Sequence, residues 1–491
     1  MKAKIGQPVE FLSKKEVEAI DFLSCMLLEK VGVKVENTNI LERMQKFGCE
    51  VNKDRSIVRI PRILINEARK KAVSPTALYG RRKDATVLLG PDQVHFTTDG
   101  YGSYVIDFEK GERRHSTLKD IEYSAIICDY LEALSIFWPP VSAQDVPPHL
   151  RKMYEYYTSV SYITKHIQPD IHNREEAAAI IEMATIIKGD EKSLRKSPIV
   201  SMLVGSASPL ELPSDALISG FEFASRRLPV VVYSMPLMGV SAPANPPATL
   251  ILSNAEILAL ITIFTLLYPG TPLIYCSFAS ASDPISGKYN VDPRNAWLQA
   301  TSCQLAKYYG LSSFIGGFGT SSKLPDAQMG FEEGLSAILS TLAGANIISG
   351  FGLIESSNVL SYEKLVIDNE FCKMALETLN RYSNHISIES LNPYIQLIEK
   401  IGHGGYFLAE RQTCVDLRKL WFSSIFDYST HETWVKKGRK GIIERAREKT
   451  KEILKTHKPE ELPQDIMREL DNTIRECKHK KESICQESTK I

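Results

Sequence analysis

The chain has 491 residues, with 59 basic and 59 acidic side chains and so no formal net charge. That balance excludes a nucleic-acid-binding protein driven by a basic excess, and 43% hydrophobic with 24% charged residues excludes disorder throughout. Nine cysteines are scattered and never spaced C-x-x-C, which fits neither a disulfide framework nor a cysteine zinc site. The length suits one large domain with additions, or two domains. The N-terminal run MKAKIGQPVEFLSKKEVEAI has no apolar core of a signal peptide. The longest apolar stretch, 250–270, is interrupted by Asn254 and Glu256. That leaves roughly a dozen apolar residues where a bilayer span needs ~20. A soluble, cytoplasmic chain with no membrane and no nucleic-acid partner is expected.

Residues 1–130 read as a mixed α+β elaboration. Helical patterns at 14–31 and 38–47 precede strand-like pieces at 56–62, 94–100 and 103–108. The run HFTTDGYGSYVIDFEKGERR looks like a hairpin with a Gly-x-Gly turn and a second turn at Glu109–Gly111.

From 131 the pattern changes. Short apolar strand candidates alternate with helical stretches at 134–139, 162–169, 199–205, 229–236, 272–279, 313–319 and 346–352. Strands separated by helices argue a parallel sheet covered by helices. Seven such units point to an α/β fold of the (β/α)8 TIM-barrel type over 131–430, with HISIE (385–389) or GYFLA (405–409) as the eighth strand. Each strand candidate ends in small or polar residues, as in PPVSAQD, GSASPLE, SFASASD and GGFGTSSK. In such a barrel the active site is built from the loops after the strands.

The spacing Ser253-x-x-Glu256 reads as a capping box opening a helix, whose body is apolar nearly all round. Such a helix needs a cover, either the N-terminal elaboration or a second subunit, so a homo-oligomer is expected. The tail, 431–491, reads as a charged helical extension with an apolar stripe at Ile443, Ala446, Ile453 and Leu454.

No phosphate loop, nucleophile elbow or dinucleotide fingerprint is present. His166, Asp170 and His172 fall close together without a metal-motif spacing, and read as structural or substrate-facing groups, with no metal expected. Tyr101, Trp138, Phe278, Phe318 and Phe351 sit near strand ends. Each alone reads as core packing, whereas together they suit a cage for a permanent cation, each ring contributing roughly 0.5–2 kcal/mol. Asp326 and Glu355 are carboxylates placed to balance such a charge. The densest run is Gly316–Gly330, where a glycine at 319 leaves space that a side chain would fill.

At this run the sequence resembles the trimethylamine methyltransferase superfamily of corrinoid-dependent methyltransferases. The matching blocks are FGCEVN (47–52), RIPRILINEARKKA (59–72), Tyr79-Gly80-Arg81, PVSAQD (140–145), SPLELP (208–213), K-x-PD-x-Q-x-G (323–330), LAGAN (342–346) and KLVIDNE (364–370). Trimethylamine enzymes of this family carry pyrrolysine four residues before that lysine; here the position is Gly319, as in members that resemble glycine betaine methyltransferases. A quaternary ammonium has no lone pair for an adduct and leaves as a neutral tertiary amine.

The resemblance implies methyl transfer from a quaternary amine to the Co(I) corrinoid of a cognate partner protein, with no cofactor held tightly by this chain. It points to Gly319, Asp326 and Gln328 at the reaction site, with Tyr101, Trp138, His166, Phe278, Phe318, Phe351 and Glu355 around the substrate. Glycine betaine leads as substrate, with carnitine, proline betaine or choline as alternatives. A non-catalytic quaternary-amine binding or sensing protein is the reading from another class.

Overall fold

Eight parallel strands form the centre of the molecule, each followed by a helix. They are β1 (Gln93–Thr98), β2 (Leu134–Phe137), β3 (His166–Ile167), β4 (Met202–Gly205), β5 (Val230–Ser234), β6 (Leu273–Ser277), β7 (Ser313–Gly316) and β8 (Ile347–Phe351). The helices are α1 (Leu118–Tyr130), α2 (Pro148–Tyr162), α3 (Arg174–Lys188), α4 (Ser214–Ser225), α5 (Pro246–Leu267), α6 (Pro293–Tyr308), α7 (Ala327–Leu342) and α8 (Tyr362–Arg381). The structure is a computed structural model that describes residues 3–4, 8–91, 93–100, 102–381 and 387–488.

The sheet curls until its ends meet. β8 pairs with β1 through Ile347 and His95, so the last strand returns to the first. Between β3 and β4 the link is an Ile167–Val200 bridge, where the Ile167 N–H donates to the Ile199 carbonyl at 3.1 Å. All seven strand positions expected from the sequence lie in this sheet. The eighth strand is β1, ahead of the others rather than after them. The alternatives fail for local reasons: Phe407–Ala409 forms a 3₁₀ turn, and Ser387 caps a helix at Ile388–Ile401. His385 and Ile386 lie outside the described residues.

Segment 94–100 is therefore not half of a hairpin. The hairpin that does form pairs Tyr104–Ile106 with Arg113–His115, across the expected turn at 109–111.

Barrel-facing side chains form their own cluster of Ile136, Trp138, Leu203, Val231, Ile274, Phe278, Phe314 and Ile347. Leu78, Val87 and Leu89 join it from a short hairpin at Ala77–Leu78 and Val87–Leu88, which packs against the strand starts. Tyr79, Gly80 and Arg81 belong to this base: the Arg81 Nε–H donates to the Ile163 carbonyl at 2.8 Å.

Helix α5 starts seven residues before Ser253, at Pro246, with Asn245 as its cap, so Ser253 and Glu256 are mid-helix rather than a capping box. Among the described residues it is the one helix long and apolar enough to cross a membrane, and it is almost wholly buried. The N-terminal helices Lys14–Lys30 and Arg62–Lys71 cover it. Among its buried polar residues, Asn254 donates from Nδ2 to Ser24 Oγ and Tyr309 Oη at 2.9 Å each, and accepts from the Tyr275 hydroxyl. The N-terminal layer supplies the cover this helix needs.

The C-terminal helices dock on the barrel. Helix Ile442–Thr456 buries Ala446, Thr450 and Ile453 at helical spacing against α8 and α1. Helix Gln464–Ser488 packs on α3 and α2, where the Tyr157 hydroxyl donates to Asp471 at 2.7 Å.

Candidate active site

The C-terminal ends of β1 and of β5 to β8, with the segments after them, line a cavity of about 900 Å³ including its opening. Two small sheets flank it. One pairs Leu237–Met238, after β5, with Ser280–Ser282 and Tyr289–Asn290, after β6. The other joins Leu353–Ile354 and Val359–Leu360, after β8, to the hairpin at 104–115.

Among the described residues its wall carries one carboxylate, Asp99, placed by the end of β1. The Asp99 carboxylate accepts from the Ser357 hydroxyl at 2.6 Å and from the Gly100 N–H at 2.8 Å. Burial nevertheless raises its pKa above the usual carboxylate range, with Asp170 adding to the rise and the two hydrogen bonds and Lys364 opposing it.

Phe278 and Tyr289 supply the aromatic surface. Phe278 closes the floor, stacked at a tilt 6.2 Å from Trp138 and edge-on 5.7 Å from Phe314. Tyr289 enters from the hairpin after β6, and burial with the nearby Asp99 pushes its hydroxyl pKa up.

Two amides on the first turns of α6, Asn295 and Gln299, share a face at i,i+4 spacing. Gln299 ties two loops together: its Nε2 donates to the Ala279 carbonyl at 3.0 Å and its Oε1 accepts from the Gly316 N–H at 2.9 Å. Asn295 Oδ1 accepts from the Ala281 N–H at 3.0 Å. Ser280, Ser336, Ser349, Ser356 and Ser357 complete a polar rim. No lysine, histidine or cysteine lines the cavity among the described residues.

Behind this wall lies a buried ionic cluster. The fully buried Lys364 ammonium stands 2.7 Å from Glu333 and 2.7 Å from Asp368, and donates to the Phe318 and Gly350 carbonyls at 3.3 Å. Burial works against its charge, but the two carboxylates outweigh it and raise its pKa. Burial raises the pKa of both carboxyls. Two acids on one base in a dry site favour keeping one proton between them. The cluster fixes the crossing of the β7 and β8 loops. There Gly350 (φ 119°) lies so close to Phe318 that a Cβ would sit 2.7 Å from the Phe318 carbonyl carbon.

The site residues expected from the sequence divide sharply. Gly319 and Phe278 line the cavity. Trp138 is buried beneath Phe278, its Nε1–H donating to Asp170 at 3.0 Å. The others are displaced, each for a visible reason.

Asp326 is the N-cap of α7, exposed, accepting from the Met329 N–H and the Ser322 hydroxyl; the cap bond and then Ser322 lower its pKa. Gln328, two residues on, is exposed and donates to Glu332 at 2.8 Å. Phe318 and Phe351 turn away from the cavity into a core with Phe96 and Phe371. His166 is at the base, bonded to the Tyr79 carbonyl at 3.0 Å and Ser201 Oγ at 2.8 Å, and burial lowers its pKa to about 4. Glu355 pairs with Arg113 at 3.0 Å. Tyr101 lies outside the described residues.

Asp99, Tyr289, Asn295 and Gln299 were not among the expected residues. Asp99 was findable as a carboxylate directly after a strand in TTDG, once 93–98 is assigned to the barrel. The Asn–Gln pair was findable as two amides four apart, just after a Pro-initiated helix.

The chain matches the trimethylamine methyltransferase family over residues 2–483. It belongs to that family. It is 32% identical to the trimethylamine methyltransferase of Methanosarcina mazei over 480 residues, covering 96% of this chain and 95% of the relative. It is 28% identical to the glycine betaine methyltransferase of Desulfitobacterium hafniense, covering 93% and 94%. Among solved structures, the monomethylamine methyltransferase of Methanosarcina barkeri aligns over 92% of this chain and 96% of its own, at 13% identity and a TM-score of 0.47. This member of the trimethylamine methyltransferase family is an enzyme, and its candidate active site is the cavity at the strand ends.

Proposed function

We propose that this enzyme transfers a methyl group from a quaternary amine, glycine betaine or a related betaine, to the Co(I) corrinoid of a separate partner protein in the cytoplasm. The observation that carries this reading is the pairing of one enclosed carboxylate, Asp99, with the rings of Phe278 and Tyr289 around a glycine at 319. A permanent cation needs an opposite charge and π faces to offset its lost hydration. A cavity lined, among the described residues, by no lysine, histidine or cysteine suits a transfer in which the protein forms no covalent bond to the substrate.

The curled sheet, read as a (β/α)8 barrel, opens this cavity outward between its two flanking sheets. The segments that follow β6 and β7 also carry exposed apolar side chains, Ile285 at 95%, Phe331 at 80% and Leu324 at 63% exposure. A polar-rimmed mouth with exposed apolar side chains on the segments beside it fits a large flat cofactor presented by another protein, and that cofactor supplies the nucleophile that takes the methyl group.

The chain's own residues then bind and orient. Asp99 neutralises the ammonium, and the rings hold three of its substituents while one methyl points outward. A betaine carboxylate would meet the Asn295 amide and the serine hydroxyls. As the C–N bond breaks, its electron pair returns to nitrogen and a neutral tertiary amine remains, so no general acid is required. Asp99 then faces an uncharged nitrogen in place of the ammonium, which favours release.

The test is methylation of cob(I)alamin, followed by absorbance, with glycine betaine, carnitine, proline betaine, choline and trimethylamine offered separately. Transfer from a quaternary amine and none from trimethylamine is expected. Transfer from trimethylamine alone would overturn the reading.

A further inference from the structure

We propose that Tyr289 selects which ammonium head groups the cavity admits, acting as a pair with Gly319; this rests on the quaternary-amine reading above. The space at Gly319 is not open. A Cβ built there would lie 2.8 Å from the Tyr289 hydroxyl oxygen and 3.5 Å from Val291 Cγ2, so the tyrosine occupies the volume the glycine leaves. The two residues face each other across the cavity wall, and a larger residue at one demands a smaller one at the other.

Tyr289 is held as a wall from several sides. Its strand pairs with Ser282. Its carbonyl accepts from the Ser356 hydroxyl at 3.1 Å, linking the hairpin to the loop after β8. The next two residues are tied to the loop after β7: the Val291 N–H donates to Ser321 Oγ at 3.0 Å, and the Ser321 hydroxyl donates to Asn290 at 3.1 Å. These bonds fix the backbone that carries the ring to two neighbouring loops, so the ring cannot move away with its strand and the bulk of the ammonium must fit the gap it leaves.

Tetramethylammonium and tetraethylammonium carry the same permanent charge and differ only in bulk, so the ratio of their affinities reads the wall. By calorimetry, the full-length protein should bind tetramethylammonium more tightly. Tyr289→Ala should shift the ratio at least tenfold toward tetraethylammonium, and Tyr289→Phe should keep the wild-type ratio. Gly319→Ala should weaken tetramethylammonium binding, and adding Tyr289→Phe to it should restore binding, because the atom met at 2.8 Å is gone. The rescue does not depend on the alanine variant at 289 folding.

An unchanged ratio in Tyr289→Ala, or no rescue in the double variant, overturns the role of Tyr289 while leaving the function standing. If the wild type binds neither cation, the quaternary-amine reading fails first and this inference with it.

Discussion

Asp99 at the end of the first barrel strand and Ser357 in the loop after the last one meet 2.6 Å apart, across 258 positions of sequence. This contact joins the beginning and end of the barrel at its mouth. It also aims the one carboxylate that lines the cavity among the described residues. The hydroxyl donates to it, which favours the charged form, while burial disfavours it and prevails.

Replacing that carboxylate by its amide keeps the shape and removes the charge. Asp99→Asn is expected to weaken binding of a quaternary amine by ~2 kcal/mol or more, at least ~30-fold in Kd. Titration calorimetry of the two proteins with glycine betaine checks it. An unchanged affinity removes Asp99 from the site.

The same group sets a pH dependence. A quaternary amine keeps its charge at every pH, so any change of affinity with pH reports the protein. With its pKa raised, Asp99 is protonated further up the pH scale than an ordinary carboxylate, and affinity should climb as pH rises through the raised value and then level off. The profile should be flat in Asp99→Asn.

Stability follows the opposite sign. A group whose folded pKa lies above its unfolded value of ~3.9 contributes stability at low pH that is lost as pH rises through the folded pKa. The ligand-free Asp99→Asn protein should therefore melt above wild type at neutral pH, by scanning calorimetry. A lower melting temperature would mean the carboxylate is stabilising, and the burial argument would be wrong.

Glu256 carries a different load. Fully buried in α5, it accepts from the hydroxyls of Ser206, Ser208 and Ser234 and from the Leu210 N–H, joining the loop after β4 to the end of β5. Glu256→Ala leaves these buried donors without a partner and should cost ~3 kcal/mol in urea unfolding. Glu256→Gln, which keeps an acceptor, should cost much less.

Lys364→Met leaves Glu333 and Asp368 facing each other without their counter-charge. Removing one member of a buried ionic cluster costs ~3–5 kcal/mol, so this variant should be the least stable considered. Double replacement with Asp368→Leu should recover part of the loss. A single variant within ~1 kcal/mol of wild type would contradict the cluster as described.

How far the sequence could be read follows from what each signal encodes. The seven strands from 134 onward were legible because β-branched runs alternate with helical stretches. β1 was legible as a strand at 94–100 but not as part of the central sheet, since QVHFTT mixes polar residues into a buried strand and is followed by turn residues that suggest a hairpin. That one misassignment hid Asp99.

The run at 316–330 drew attention through its composition. Its lysine, aspartate and glutamine are spent on the loop and on helix α7, whereas its glycines at 316, 317 and 319 reach the cavity. Asp326 illustrates the ambiguity: an acid before a helix is chemically the same residue whether it caps or binds. Aromatic side chains at strand ends point into the barrel or out toward the helices according to strand register. Phe278 and Phe318 look alike in sequence and face opposite sides.

The most direct test of the central claim is a co-crystal structure of the protein with glycine betaine. The account predicts the trimethylammonium group against Phe278 and Tyr289, within ion-pairing distance of Asp99, with one methyl turned to the open mouth. Density for the ligand elsewhere, or with its carboxylate rather than its ammonium facing Asp99, would contradict it.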